Sequence, residues 1–464
     1  MPSLDFDHLD SLLSRYDLAG PRYTSYPTVP VWSESYGAGQ FEVAMRRIDP
    51  VRSKSLALYI HIPFCRELCH YCACSRVITR NDELPARYLA VIAKEIETVR
   101  AKLPPDSRVN QVHLGGGTPT HLSAEQLTKL MKLVTRAFFL TEDADLSVEV
   151  DPRVTSDSHV DALRACGFTR ISLGVQDFDP RVQAAIHRIQ PAEITRSLTA
   201  RSRESGFTSV NYDLIYGLPF QTVETFDRTL DQVFQLQPDR VALYSYAHVT
   251  WFAKQQRGFE RINLPSSDLK LKIMLRAIRR FMEEGYIHIG MDHFAKADDS
   301  LAKAVATGQL ERNFMGYTTK VCGDLIGLGP SAISECGGDY AQSFRGLTEW
   351  EDAVMKGRLA TFRGHSLSEE DRLRSWIIRR IMCSGRVAGN DYRREFGREM
   401  GEDFALELRA LEEIARDGLI VFDSKDSFAV TPTGRLLLRN LAMIFDAYFP
   451  GQREVGDPIF SRTV

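Results

Sequence analysis

Four of the chain's eight cysteines, Cys65, Cys69, Cys72 and Cys74, fall within ten residues. Thiols this crowded are poorly placed for disulfides among themselves, because neighbours in one short loop cannot reach the required separations and torsions without strain. They are well placed to hold iron or zinc. Cys65-x3-Cys69-x2-Cys72 supplies three soft donors, enough for three irons of a 4Fe–4S cube whose fourth iron stays open to a small molecule. A tetrahedral zinc site completed by Cys74 or His70 uses the same residues and stays open on spacing alone. Cys166, Cys322, Cys336 and Cys383 are scattered singly and read as small buried hydrophobes.

The elements that must carry this loop are legible in the hydrophobic pattern. Short apolar runs at Leu56–Ile62, Gln111–Leu114, Leu146–Val150, Arg170–Val175, Ser209–Ile215 and Arg240–Ser245 predict strands. Between them, 3.6-residue periodicity predicts helices at Tyr88–Leu103, Ser123–Phe138, Ser158–Cys166, Glu193–Ser205 and Val223–Gln235, with Ser123 and Gln126 forming a capping box at the second. Strand–helix alternation implies a parallel sheet with right-handed crossovers, either doubly wound or an incomplete barrel. Polar residues collect at or just past the strand ends. The cysteine loop follows the first strand and Gly115-Gly116-Gly117-Thr118-Pro119-Thr120 the second, with Glu149-Val150-Asp151, Gln176-Asp177, Asp213 and Tyr246-Ala247-His248 on the other four. In parallel α/β folds ligands bind at that rim, so six consecutive strands serve one site.

Beyond the sixth strand come a long helical pattern at Ser266–Gly285, the runs Ile289–Phe294 and Arg312–Thr319, and Gly327-Leu328-Gly329-Pro330-Ser331-Ala332-Ile333, which reads as a loop returning to the rim. Residues 366–464 read as a small domain: helices at Ser368–Cys383 and Asp403–Asp417, a β-hairpin wing at Leu419–Asp423 and Ser427–Val430, and a helix through Phe449. At the other end, a short helix at Phe6–Tyr16 precedes the polar-aromatic run Pro21-Arg22-Tyr23-Thr24-Ser25-Tyr26-Pro27. The domain boundaries that follow are an N-terminal arm over residues 1–54, a barrel with its extension over 55–365 and a helical, winged domain over 366–464.

Composition narrows the function. With 464 residues, 44% hydrophobic, 26% charged and 10% aromatic, this is ordinary globular composition, which excludes disorder and coiled coils. Lys and Arg number 58 against 61 Asp and Glu. That balance argues against nucleic acid or an anionic membrane as partner, and the wing region, with 15 basic and 17 acidic residues, repeats it. No stretch approaches the ~18 apolar residues of a membrane span and the N-terminus lacks a signal-peptide pattern, so a cytoplasmic location is expected.

The cysteine loop after strand one, the Gly-Gly-Gly-Thr-Pro turn after strand two and the glutamate after strand three resemble the radical S-adenosylmethionine enzymes. More narrowly, Cys74 after the three-cysteine motif, the Pro21–Pro27 run, Asn211-Tyr212-Asp213-Leu214-Ile215-Tyr216-Gly217-Leu218-Pro219 and Arg312-Asn313-Phe314-Met315-Gly316-Tyr317-Thr318-Thr319 resemble the oxygen-independent coproporphyrinogen III oxidase family over roughly residues 15–450. The resemblance implies a parallel (β/α)6-type partial TIM barrel with an N-terminal arm covering the active site and a small, mostly helical C-terminal domain with a β-hairpin wing. It makes Cys65, Cys69 and Cys72 ligands of a 4Fe–4S cluster, and it implies two S-adenosylmethionine molecules, one chelating the open iron. Tyr59, Gly116, Glu149 and Ile333 match contacts to the first. Tyr71, Gly117, Thr118, Gln176, Arg188, Asp213 and Ala247 match contacts to the second. Cys74 is implied to be needed for catalysis without being a cluster ligand; related haem chaperones carry an aromatic there and lack the Pro21–Pro27 run. Two departures stand out: His187, where the family more often has Asn, and Val249–Trp251, where it more often has proline.

The implied reaction is oxidative decarboxylation of two propionates of coproporphyrinogen III to vinyl groups through a 5′-deoxyadenosyl radical, giving protoporphyrinogen IX in haem biosynthesis. Arg22 and Arg312 are candidate partners for the propionates. An electron-donor protein such as flavodoxin or ferredoxin and a monomeric state are expected. A haem chaperone on the same fold, and a zinc-stabilised protein that reads nucleic acid through the wing, are the competing assignments.

Overall fold

The structure is a computed structural model that describes residues 9–49, 55–259, 263–321, 323–449, 460 and 462–463. Cys322 and the first residues of the helix expected at Phe6–Tyr16 lie outside them. The described residues fall into two compact units, one from the stretches Trp32–Pro265 and Lys320–Ser366, the other from Met1–Val31, Ser266–Thr319 and Leu367–Val464.

The first unit is built on ten strands: β1 (Leu56–Ile62), β2 (Arg108–Gly116), β3 (Phe139–Val150), β4 (Arg170–Gln176), β5 (Ser209–Tyr216), β6 (Arg240–Ser245), β7 (Asp324–Leu328), β8 (Ile333–Cys336), β9 (Asp339–Ser343) and β10 (Thr361–Ser366). They lie in the order β10-β9-β8-β7-β1-β2-β3-β4-β5-β6. From β7 through β6 every pairing is parallel, and β8, β9 and β10 extend the β7 side antiparallel. Register aligns one apolar layer across the sheet, Ile326↔Leu58↔Val112↔Leu146, and then Val148↔Ile171↔Val210. β1, β5, β7 and β9 are buried over most of their length, β1 everywhere but Tyr59, which is why β1 reads as an unbroken apolar run rather than an alternating one. The crossovers run through α1 (Glu83–Arg100), α2 (Ala124–Ala137), α3 (Asp157–Ala165), α4 (Ala192–Glu204) and α5 (Val223–Leu236). The anticipated cap of α2 is present: Ser123 Oγ accepts from Gln126 N–H at 3.2 Å and Gln126 Oε1 from Ser123 N–H at 2.9 Å. Arg345, just after β9, lies 4.6 Å over the Phe252 ring in the loop after β6. The two sides of the strand series therefore curve together at the C-terminal rim, as a partial barrel requires.

Three features differ from the expectation. β3 begins at Phe139, seven residues early, because its leading half is exposed and polar. The Gly327–Ile333 run is the end of one strand and the start of another, not a loop throughout. Gly327 is there because a Cβ would meet the Ile333 carbonyl oxygen at 2.4 Å. A short helix at Pro180–Ala185, capped by Asp179, occupies the turn after β4.

The second unit holds helices at Leu9–Tyr16, Ser267–Glu283, Glu369–Met382 and Ala405–Arg416, among others. The wing hairpin, Ile420–Ser424 with Ser427–Val430, carries a third short strand at Arg386–Val387. Its core gathers Tyr23, Tyr26, Ile377, Tyr392, Phe404, Phe428 and Phe445. The Pro21–Pro27 run is pinned within this unit: Tyr23 OH donates to Asp446 at 2.8 Å, Arg439 Nε to the Pro21 carbonyl at 2.9 Å, Arg22 pairs with Asp292, and Arg312 donates to the Arg22 carbonyl at 3.0 Å. Arg22 and Arg312, the expected propionate partners, thus both have protein partners. Among the described residues no helix is long and apolar enough to cross a membrane.

Candidate active site

The cysteine loop is closed at its base by a two-residue parallel ladder, Phe64↔Val77 and Cys65↔Ile78. Its far side is docked on the turn after Pro180–Ala185. His70 N–H donates to the Ile186 carbonyl at 3.0 Å, and the His70 and His187 rings stack at 5.1 Å. His187 Nδ1 lies 3.1 Å from the Leu68 carbonyl, which can only accept, so that nitrogen carries the proton. A third tether comes from the loop after β6: Gln256, 1% exposed, donates to the carbonyls of Tyr71 at 2.9 Å and Ala247 at 3.2 Å, and Gln255 donates to that of Cys72.

A cavity of about 680 Å³, within the usual range of small-molecule sites, is walled by Cys65, Cys69, Cys72, Tyr71, Thr118 and Arg188, with Gly117, Asp151 and Arg153 beside them. Cys69 Sγ receives Arg153 Nη2 and Arg188 Nη1, each at 3.6 Å. Both guanidiniums also reach Asp151 Oδ2, at 2.7 and 3.0 Å. Burial works against the Arg188 charge, but Tyr71, Asp151 and Cys69 hold it more firmly protonated than an ordinary arginine. Burial pushes the Asp151 carboxyl up, but the Arg188 charge and the Arg153 hydrogen bonds and charge outweigh it and leave it below the usual carboxylate range. Burial pushes the Cys65 thiol up to about 11 despite its contact with Thr118 Oγ1 at 3.4 Å. Cys74 is exposed; it shares a hydrogen bond with Cys72 that brings Cys72 down to about 6 and drives Cys74 up.

The other expected residues lie off that wall and form a polar group along the strand ends. His113 on β2 lies 3.2 Å from Glu149 Oε1 on β3, 2.8 Å from Ser147 Oγ, and stacks on Tyr59 of β1 at 5.9 Å. Gly116 N–H donates to Glu149 Oε2 at 3.2 Å. Burial opposes the Glu149 charge, but these two neighbours keep it below its ordinary range. Asp213 on β5 accepts from Ser172 Oγ and Asn211 Nδ2, each at 2.9 Å; burial first, and the Glu149 charge second, lift it to about 7. Burial likewise raises the Tyr59 and Tyr71 phenols. Gln176 and Arg188 converge over Gly174, where a Cβ would meet their nitrogens at 2.9 and 3.1 Å. Ile333 backs onto Gly327, the register partner of Tyr59.

The rim glycines have a packing reason of their own. A Cβ on Gly117 would lie 2.7 Å from the Pro63 carbonyl oxygen, and Gly116, at φ +119°, would meet the His61 ring at 2.8 Å. The turn after β2 is pressed against the base of the cysteine loop.

The residues fit an iron–sulfur cluster. Three soft thiols share one cavity wall with two arginines, and Arg188 Nε is buried without a hydrogen-bond partner. Among the described residues no three His, Cys, Asp or Glu side chains are grouped to hold a single metal ion; thiols spread along a wall suit a polynuclear group better. Sequence reasoning placed Asp151 at the rim without giving it a role, and missed Arg153, His113 and Gln256 as site residues. Arg153 could have been found, since it follows Glu149 past the same strand end. Gln256 carried no signal.

The sequence model of the radical SAM superfamily matches residues 59–233. The oxygen-independent coproporphyrinogen III oxidase of Pseudomonas aeruginosa is 44% identical over 442 residues, 95% of each chain. That of Helicobacter pylori is 40% identical over 466 residues, with 100% of both chains covered. The structure of the Escherichia coli coproporphyrinogen III oxidase, described as a radical SAM enzyme, matches with a TM-score of 0.89 at 41% identity over 94% of this chain and 98% of that one.

Proposed function

The chain belongs to the oxygen-independent coproporphyrinogen III oxidases of the radical SAM superfamily, and from that premise we propose how its residues divide the work. It is an oxidoreductase of haem biosynthesis that converts two propionates of coproporphyrinogen III to vinyl groups, yielding protoporphyrinogen IX, with a 4Fe–4S cluster and S-adenosylmethionine as cofactors. When bound, these cofactors supply reductive cleavage of the sulfonium to a 5′-deoxyadenosyl radical that takes hydrogen from the propionate β-carbon.

Cys65, Cys69 and Cys72 hold the cluster. Arg153 and Arg188, already donating to Cys69 Sγ, orient that sulfur and offset its charge, since donors to a cluster's sulfurs tune it. Tyr59, Gly116, Glu149 and Ile333 bind the first S-adenosylmethionine, with the ionised Glu149 facing its amine or ribose hydroxyls. Tyr71, Gly117, Thr118, Gln176, Arg188, Asp213 and Ala247 bind a second. A carboxyl that titrates near 7 can accept a hydroxyl proton or donate its own, so Asp213 suits a ribose. Cys74, exposed beside Cys72, acts in turnover and not as a ligand. A flavodoxin- or ferredoxin-like donor supplies the electron to a cytoplasmic monomer.

The observation that carries this assignment is the meeting of three thiols on one cavity wall, with the His113-linked Tyr59 and Glu149 at the neighbouring strand ends. Anaerobic turnover of coproporphyrinogen III with S-adenosylmethionine tests it, comparing wild type with Cys74→Ser. Vinyl product from the wild type, lost in the variant with iron retained, supports it. Tight haem binding without product overturns it in favour of a chaperone.

A further inference from the structure

Trp251 and Phe252, in the loop after β6, are 44% and 50% exposed, and Arg345 lies 4.6 Å over the Phe252 ring. Arg363 on β10 feels Arg345: burial and then that like charge hold its guanidinium below the ordinary arginine range, with Glu34 a weaker opposing influence. Arg363 Nε donates to Gln342 Oε1 at 2.7 Å, a neutral partner. Among the described residues neither arginine has a carboxylate within ion-pair distance.

The loop that presents the aromatics is held in place. Phe252 and Ala253 donate their N–H groups to the Val249 carbonyl at 3.0 and 2.8 Å, and Val249 N–H donates to Gln256 Oε1 at 2.6 Å. The amide of that same glutamine binds the carbonyls of Tyr71 and Ala247. One buried side chain therefore links the aromatic patch to the cysteine loop. Broad apolar faces beside two guanidiniums that repel one another suit a ligand with a large, flat-sided carbon framework and several carboxylates. Arginine pairs with carboxylates in two-pronged fashion and stacks on aromatic rings.

We propose that Trp251, Phe252, Arg345 and Arg363 form the docking surface for the tetrapyrrole substrate, the aromatic rings against its pyrroles and the guanidiniums on its propionates. The identity of the tetrapyrrole rests on the function proposed above; the patch itself rests on the geometry.

The test uses the anaerobic holoenzyme, the paired variant Arg345→Gln with Arg363→Gln, and Phe252→Ala. Steady-state kinetics use coproporphyrinogen III. Binding is read by quenching of Trp251 emission with coproporphyrin III and with its tetramethyl ester, Trp251→Phe identifying the emitter. The paired variant should raise KM for coproporphyrinogen III by about ten-fold or more, with KM for S-adenosylmethionine and iron content unchanged. The tetra-acid should quench the wild type far more strongly than the ester, and the variant should erase the difference. Restoring charge with Arg345→Lys and Arg363→Lys should recover part of the affinity. A KM within about two-fold of wild type, or equal quenching by acid and ester in the wild type, would overturn the assignment. Charge-dependent quenching without turnover would fail the enzymatic function but uphold the surface; normal turnover indifferent to the arginines would do the reverse.

Discussion

Asp213 offers the sharpest quantitative test of the electrostatics along the strand ends. Its carboxyl titrates near 7 in the folded chain instead of at 3.8, with burial as the main cause and the Glu149 charge as the second. In the unfolded chain it ionises near its ordinary value. Between about pH 4 and pH 7 the folded state therefore binds more protons than the unfolded one, and stability must fall as pH rises through that window. Each ten-fold in proton affinity is worth about 1.4 kcal/mol, so the full span from 3.8 to about 7 costs the folded state about 4 kcal/mol by pH 8. At about 1.7 °C per kcal/mol for a unit of this size, the apparent melting point should drop by roughly 7 °C from this group.

Glu95 and Asp177 are also raised, to about 7 and about 6, and they push in the same direction, so only the difference from Asp213→Asn isolates Asp213. That variant cannot ionise. It should come closest to wild type near pH 4 and be the more stable protein near pH 8, with the gap widening between about pH 4 and pH 7 and level above that. Infrared difference spectra should show a protonated-carboxyl band in the wild type that fades near pH 7 and is missing from Asp213→Asn. Glu149→Gln, which removes the neighbouring charge, should move that fading to lower pH. Parallel pH–stability curves for wild type and Asp213→Asn, with no such band, would refute the assignment of a protonated Asp213.

Other residues make independent predictions. Asp151→Ala leaves Arg188, its side chain 6% exposed, without its carboxylate; the cost should be about 3–5 kcal/mol in urea denaturation, and adding Arg188→Met should recover much of it. Gly117→Ala sets a methyl 2.7 Å from the Pro63 carbonyl oxygen, a backbone atom that cannot swing aside, so reconstituted iron should fall, whereas Gly39→Ala, with nothing within 4 Å, should be indistinguishable from wild type in iron content. Gln256→Leu keeps the volume but removes three hydrogen bonds, worth about 1–3 kcal/mol for each buried group left unpaired; iron should be lost to a chelator faster than from wild type.

Much of the barrel was legible because parallel strands covered on both faces must be apolar nearly throughout. β1 and β6 fall on the expected bounds, β4 and β5 overrun theirs by one residue into Gln176 and Tyr216, and β2 is longer at both ends, Arg108–Gly116 against Gln111–Leu114. The failures share a cause. The leading half of β3 is exposed, so nothing selects apolar residues there. β7 ends in Gly327-Leu328 and Gly329 follows it; these glycines look like a turn but serve a close approach of chains. At the site, residues in one short motif announced themselves. Those that act at a distance did not. Gln256 is nearly two hundred residues from the loop it ties down, and a lone glutamine has no pattern.

The charge arrangement around Cys69 shows why the near-neutral composition says little about the site. Arg153 and Arg188 both lean on Asp151 Oδ2, so one carboxylate answers two guanidiniums. Glu67, 3.6 Å from Arg153, answers weakly, because it is 44% exposed and shared with Arg80. Positive charge in excess, next to a sulfur and largely out of water, is costly unless an anion meets it. A thiolate at Cys69 is such an anion, and soft metals bind thiolates rather than thiols. The same two arginines that would destabilise a merely structural cysteine loop are thus placed to donate to a metal-bound sulfur at Cys69. A chain with 58 basic and 61 acidic residues can hold that local field because charge pairing is decided over a few ångströms, not over the whole sequence.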